Sequence, residues 1–219
     1  MNNNQLVAKA LAAATDTVAM EIGVDILDKV PVMFKEQFPD KRALIVADEN
    51  TWRVAGEAVY AHLQTVGVEC EQPYIFTDEH LHAEWTFIEM LDERLAATDA
   101  IAVAVGSGTI NDLCKLCSYH QSRPYMCVAT AASVDGYSSF GASITYKNMK
   151  QTFTCPAPKA ILADVGVMAR APKEMTAAGY ADLAAKIPAG AEWIIADFVG
   201  SEPIHDEAWH IVQDGLKEA

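Results

Sequence analysis

The chain has 219 residues, a length that fits one sizeable domain, or one domain and part of another. Its formal net charge of −14 repels a phosphate backbone and argues against a nucleic-acid partner. It leaves small anionic ligands open, because local dipoles hold those. Hydrophobic residues make up 51%, enough for a buried core, yet no apolar run approaches the roughly 20 residues needed to span a bilayer.

The opening MNNNQLVAKALAAATD has no basic segment followed by an apolar run, so no signal peptide is expected. Five cysteines in a chain this large do not form a disulfide framework by count, which fits a reduced, cytoplasmic protein.

In chain order, the first assignable element is the apolar run Arg42 to Val46, a buried parallel strand by its pattern. A helix follows near Trp52 to Val66, then a strand over Cys70 to Phe76 and a helix over Ala83 to Ala97. Ala100 to Val105 is a strand, Ile110 to Gln121 a helix and Tyr125 to Ala129 a strand. This alternation predicts an α/β fold with a parallel sheet covered on both faces.

The rhythm then changes. Ala142 to Tyr146 and Gln151 to Cys155 flank Lys147-Asn148-Met149-Lys150 as a hairpin, and Ala160 to Ala163 adds a strand. Helical patterns cover Lys173 to Lys186, Glu192 to Val199 and Asp206 to Lys217, with Pro172, Pro188 and Pro203 just before them. A boundary is expected near Met168 to Pro172, separating residues 1–168 from a thin helical portion at 169–219.

Gly106-Ser107-Gly108 joins a strand to a helix, where glycines let backbone approach a phosphate. The third glycine of a GxGxxG pattern is replaced by Asn111, so the turn taken alone reads equally well as a plain chain reversal. Asp48 at a strand tip suits a ribose diol, or simply a helix N-cap. Thr130 to Gly136 gathers hydroxyls, a carboxylate and a glycine after a strand, as catalytic loops and solvent loops both do. Cys114 and Cys117, three apart on a helix, read as core packing. His205 and His210, five apart, do not share a helical face and make a poor metal pair.

The runs GSGTINDLCK, VATAASVDGYSS and PKAILADVGVMARAPKEMTAAGYADLAAK, in that order, resemble the glycerol-1-phosphate dehydrogenase family of the iron-containing alcohol dehydrogenase superfamily. The resemblance covers most of the chain. It implies a Rossmann-like N-terminal domain, an all-helical C-terminal domain and an active site between them.

By that resemblance Asp48 holds the adenosine ribose, and Gly106, Ser107 and Gly108 cradle the pyrophosphate. Asp112 closes the glycine-loop motif. Thr130 and Ser133 line the cofactor, and Ser139 lies near the nicotinamide. Asp135 contacts substrate, and Asp182 is the first of three metal ligands, the others being histidines. The implied chemistry is hydride transfer between NAD or NADP and dihydroxyacetone phosphate, giving sn-glycerol 1-phosphate, with zinc or nickel as Lewis acid in a complete enzyme. Asp48 disfavours the 2′-phosphate of NADP and nearby Arg53 favours it, which leaves the choice of cofactor open. The implied partner is a small phosphorylated polyol or ketone, with no nucleic acid and no membrane, in a homo-oligomer such as a homodimer.

The sequence departs from this pattern at two places. Tyr180-Ala181-Asp182 stands where the resemblance puts glycine before the acid, and the two histidines expected well downstream have no counterpart. The expectation is a portion of a longer enzyme; a short nucleotide-binding module without turnover is the alternative. A 3-dehydroquinate synthase ranks lower because loop lysines and arginines are sparse, and glycerol dehydrogenase differs by its unphosphorylated substrate.

Overall fold

The structure, a computed structural model, describes residues 3–214 and 216. A parallel six-stranded sheet lies at its centre, made by β1 (Ala19–Gly23), β2 (Ala43–Asp48), β3 (Tyr74–Phe76), β4 (Ile101–Gly106), β5 (Met126–Ala129) and β8 (Ala160–Asp164). The strand order is β1-β8-β5-β4-β2-β3. The antiparallel hairpin of β6 (Ala142–Tyr146) and β7 (Met149–Phe153) stands apart as a second sheet.

Strands alternate their side chains between two cores. Leu44 and Val46 of β2 and Ala102 and Ala104 of β4 face one core, under α5 (Trp85–Ala96) and α6 (Gly108–His120). Ala43, Ile45, Val103 and Val105 face the other, under α2 (Val30–Gln37) and the helix over residues 49–65. That helix comprises α3 (Glu49–Thr51), a π-helical turn at Trp52–Gly56 and α4 (Glu57–Thr65). With both faces buried, the central strands are continuously apolar, which is why Arg42 to Val46 and Ala100 to Val105 are readable from sequence.

Several elements differ from the sequence expectation. The strand expected over Cys70 to Phe76 pairs as β3 only from Tyr74; Cys70 makes an isolated bridge to Ala43. The second hairpin strand begins at Met149, because Lys147 and Asn148, at φ of 51° and 62°, make a two-residue turn. Helices α1 (Asn3–Ala13) and α2, and strand β1, lie where the sequence carries no clear period. β1 is an edge strand whose partner β8 follows it by some 140 residues.

Beyond β8 come α7 (Val165–Met168), α8 (Lys173–Ala184), α9 (Lys186–Phe198) and α10 (Asp206–Gln213). Helix α9 starts six residues before the expected Glu192 and contains Pro188 at its third position. There the missing N–H has no intrahelical partner to lose. The expected helical stretch ending at Lys217 stops at Gln213; Lys217 lies outside the described residues. No described helix is long and apolar enough to cross a membrane.

Candidate functional site

The strand order reverses between β2 and β4. β3 continues from β2 to one edge, and β4 returns on the other side of β2. An open parallel sheet binds ligands beyond the carboxyl ends of its strands at such a point. Here those ends are Asp48 and Gly106.

A Cβ at Gly106 would stand 2.5 Å from Ile110 Cβ, so glycine is required for α6 to leave β4 this tightly. Ser107 is the N-cap of α6, yet its side chain bonds no first-turn amide. Asp48 and Asp164 behave differently. Asp48 Oδ1 accepts from the N–H of Asn50 and Thr51, and Asp164 Oδ1 accepts from Gly166 and Val167. Of the helices that directly follow β2, β4 and β8, α6 alone has a first turn that no side chain caps, at the start of a 13-residue helix where an anion can bind.

Asn111 supplies a second, independent sign of a ligand. It is 1% exposed, and its Oδ1 accepts from Tyr125 Oη at 2.9 Å, while its Nδ2 is buried without a partner. An unmatched buried donor costs about 1–3 kcal/mol, which a bound acceptor recovers. Asn111 lines the space above the glycine turn.

Two cavities meet at this turn and share Ser107, Thr109 and Met175. The first, about 630 Å³, runs along Asp48, Asp78, Thr130 and Arg170. The second, about 670 Å³, runs along Gly108, Asn111, Asp112, Ser133, Ser139 and Asp182 and is walled by the β6–β7 hairpin. Each volume falls within the range of small-molecule sites.

The N-cap reading of Asp48 holds, in a reciprocal box completed by Thr51 Oγ1 accepting from Asp48 N at 3.0 Å. Both amide bonds fall on Oδ1, so Oδ2 is free of them for a ribose hydroxyl. Thr130 N donates to Gly106 O at 3.1 Å and ties the ends of β4 and β5 together. Ser139 Oγ donates to Gly136 O at 2.8 Å.

Asp112 Oδ2 accepts from Ser143 N at 3.2 Å, and its Oδ1 lies 3.7 Å from Lys115 Nζ. Burial pushes its carboxyl above the usual range, against the pull of Lys115. The Lys115 side chain is fully buried, and its ammonium donates to the carbonyls of Ser139, Gly141 and Gly136 at 2.9, 3.0 and 3.4 Å. Asp112 and Lys115 together stitch the 136–143 segment onto α6. This structural use of Lys115 escapes sequence reading, since a lysine in a helical pattern signals solvent.

Asp135 stands beside the second cavity rather than lining it. Its carboxylate Oδ2 is 2.8 Å from Lys186 Nζ, and its N–H donates to Asp182 Oδ2 at 3.0 Å. The bond from the Asp135 N–H holds the Asp182 carboxyl below the usual range, with burial opposing it. The approach is made possible by Gly179, where a Cβ would stand 1.9 Å from Ala132 O. α8 therefore docks on the 130–135 loop through a glycine and an aspartate one turn apart.

Among the described residues no three His, Cys, Asp or Glu side chains assemble a metal site. Asp182 is one oxygen donor whose Oδ2 is already bonded, and a catalytic zinc needs about three protein ligands. The described residues do not by themselves fit a metal. Cys114 and Cys117 are buried in the core with thiols pushed up by burial, as packing residues.

The chain matches the family model described as iron-containing alcohol dehydrogenase over residues 21–172. It is 35% identical over 176 residues to a protein of Bacillus velezensis named glycerol-1-phosphate dehydrogenase [NAD(P)+], covering 79% of this chain and 44% of the relative. Relatives of the same name from Geobacillus thermodenitrificans and Bacillus subtilis are 36% and 34% identical. The matches cover 74% and 81% of this chain, and 41% and 45% of those relatives. The chain thus spans under half the length of these relatives.

The fold matches a crystal structure of an iron containing alcohol dehydrogenase with a TM-score of 0.67 at 16% identity, over 78% of this chain and 52% of the other. It also matches glycerol dehydrogenase from Schizosaccharomyces pombe with a TM-score of 0.65 at 20% identity, over 77% of this chain and 42% of the other. With the sheet order, the site geometry and a family match over more than half its length, the chain belongs to the iron-containing alcohol dehydrogenase family.

Proposed function

We propose that this chain is the nucleotide-binding half of an NAD(P)-dependent dehydrogenase that interconverts dihydroxyacetone phosphate and sn-glycerol 1-phosphate. The observation that carries the reading is the uncapped N-terminus of α6 at the strand reversal, beside the unpartnered Nδ2 of Asn111. The relatives' name supports glycerol 1-phosphate as a substrate and NAD(P) as the cofactor.

A bound nicotinamide cofactor supplies the hydride. The chain's own residues bind and orient. The amides at Gly108 and Thr109 take the pyrophosphate, Asp48 takes a ribose hydroxyl, and Thr130, Ser133 and Ser139 line the path between the two cavities. Lys115 holds the 136–141 segment against the reacting end. Asp135 and Asp182 clasp α8 over this site.

Among the described residues, the first cavity carries Asp48, Glu49, Asp78 and Glu79 against the single cation Arg170. That balance favours a ribose 2′-hydroxyl over a 2′-phosphate, so NAD(H) is the preferred cofactor. Arg53 does not line this cavity.

The absence of a three-ligand cluster among the described residues favours a second reading, a nucleotide-binding module without turnover. Oxidation of NADH by dihydroxyacetone phosphate, with zinc or nickel supplied, tests them. Turnover supports the dehydrogenase and rejects the module; saturable NADH binding without turnover is expected of a binding half and of a module alike, and a folded chain that binds no NADH contradicts both.

A further inference from the structure

The β6–β7 hairpin walls the second cavity, and its register decides what it presents there. Ser143 pairs with Thr152, and Thr145 pairs with Lys150. Side chains paired across an antiparallel ladder lie on one face, and alternate pairs share that face. The face therefore carries three hydroxyls and one ammonium in a compact patch, and all four residues line the cavity. The opposite face carries Ala142 and Ile144 into the core, with Tyr146 and Phe153 against Trp85 at ring distances of 4.8 and 5.4 Å. That packing, and the tight turn at Lys147 and Asn148, fix which face looks inward.

The other basic groups near this cavity are already committed. Lys115 serves backbone carbonyls, Lys186 pairs with Asp135, and His82 Nε2 lies 2.7 Å from Glu84 Oε2. Among the described residues, Lys150 alone of the cavity's lining cations has no carboxylate within ion-pair distance. Lys150 lines the cavity and pairs with Thr145, which places it on the cavity side of the hairpin. Asp112 has Lys115 beside it, and Asp182 accepts the Asp135 amide, so neither needs Lys150 as a partner.

We infer that Lys150, with the hydroxyls of Ser143, Thr145 and Thr152, forms a subsite for the phosphate monoester of the substrate. A dianionic phosphate accepts several hydrogen bonds, and a lone ammonium among hydroxyls matches it in charge and donor count. The subsite makes the cavity select a phosphorylated three-carbon ligand over its free polyol or ketone. It rests on the reading of the chain as the binding half of a polyol-phosphate dehydrogenase.

The test titrates the whole chain, with NADH present, against dihydroxyacetone phosphate, free dihydroxyacetone and inorganic phosphate, following backbone amides by NMR. Dihydroxyacetone phosphate and inorganic phosphate should shift the amides of residues 143–152, and dihydroxyacetone should bind at least about tenfold more weakly than its phosphate. Lys150→Ala should weaken both phosphate ligands by about tenfold or more. Lys147→Ala, at the hairpin tip with its ammonium over the Tyr146 ring, should leave both affinities unchanged. NADH affinity reports separately on the glycine turn.

Equal binding of dihydroxyacetone and its phosphate overturns the subsite, as does equal loss in the Lys147 and Lys150 variants, or no loss in the latter. Phosphate binding lost on Lys150→Ala in a chain that fails to bind NADH would keep the subsite and reject the dehydrogenase reading.

Discussion

A Cβ at Gly106 would meet Ile110 Cβ at 2.5 Å, whereas the nearest neighbour of one at Gly108 would be the Val134 side chain, at 3.2 Å. The two glycines therefore fail in different ways. Gly106→Ala forces α6 off β4 and should cost about 1–3 kcal/mol in urea unfolding. An unchanged midpoint would show that the helix is not held by this contact. Gly108→Val keeps the fold but fills the space at the first-turn amides, and NADH should bind at least about tenfold more weakly. Unchanged affinity would remove the phosphate role from the turn. The sequence shows the glycines and Asp48 as candidates because strand, glycine and helix follow one another. It does not show Asn111, Lys115 or Lys150 as site residues. Their roles depend on an unpaired amide, three loop carbonyls and a hairpin register, all created by contacts distant along the chain.

Two junctions hold the elements around the site. The buried carboxylate of Asp164 caps α7 and also accepts from the N–H of Asp25 and Ile26 beyond β1, at 3.2 and 2.7 Å. Burial pushes its carboxyl up, but the four amide bonds together hold it below its ordinary 3.8. The unfolded chain therefore binds this proton first as pH falls. The stabilisation is complete above about 3.8 and is lost as pH drops through the lower folded value. Asp164→Asn should lower stability by about 2 kcal/mol at neutral pH and flatten the loss below 3.8. Parallel stability–pH curves for the two proteins would contradict this. At the second junction, Gly179→Ala places a methyl 1.9 Å from Ala132 O and should lift α8 off the 130–135 loop. Hydrogen exchange at the Asp135 amide should accelerate while β4 and β5 stay protected; unchanged protection at Asp135 would show that α8 docks by other contacts. The central strands and α6 were legible because burial on both faces imposes an apolar run and a helical period. β1 was not, because an edge strand with Glu21 and a half-exposed pattern carries neither signal.

At the scale of the molecule, one parallel sheet brings Asp48 and Gly106, 58 positions apart, to the same strand-end cleft. The helices after β8 add little to its two cores. α9 leaves Ile187, Ile194, Ile195 and Phe198 exposed, the last to 89%. The alternation of strands and helices made the fold class readable, while the strand order and the joining of two cavities at the glycine turn were fixed by pairings the sequence does not display. Titration of the chain with NADH, followed by nicotinamide fluorescence, asks whether this cleft binds a nicotinamide dinucleotide. Saturable binding in roughly the micromolar range is expected, weakened by Gly108→Val and stronger than that of NADPH. A folded chain whose NADH signal does not saturate, or is the same in the Gly108 variant, does not use this cleft for the dinucleotide.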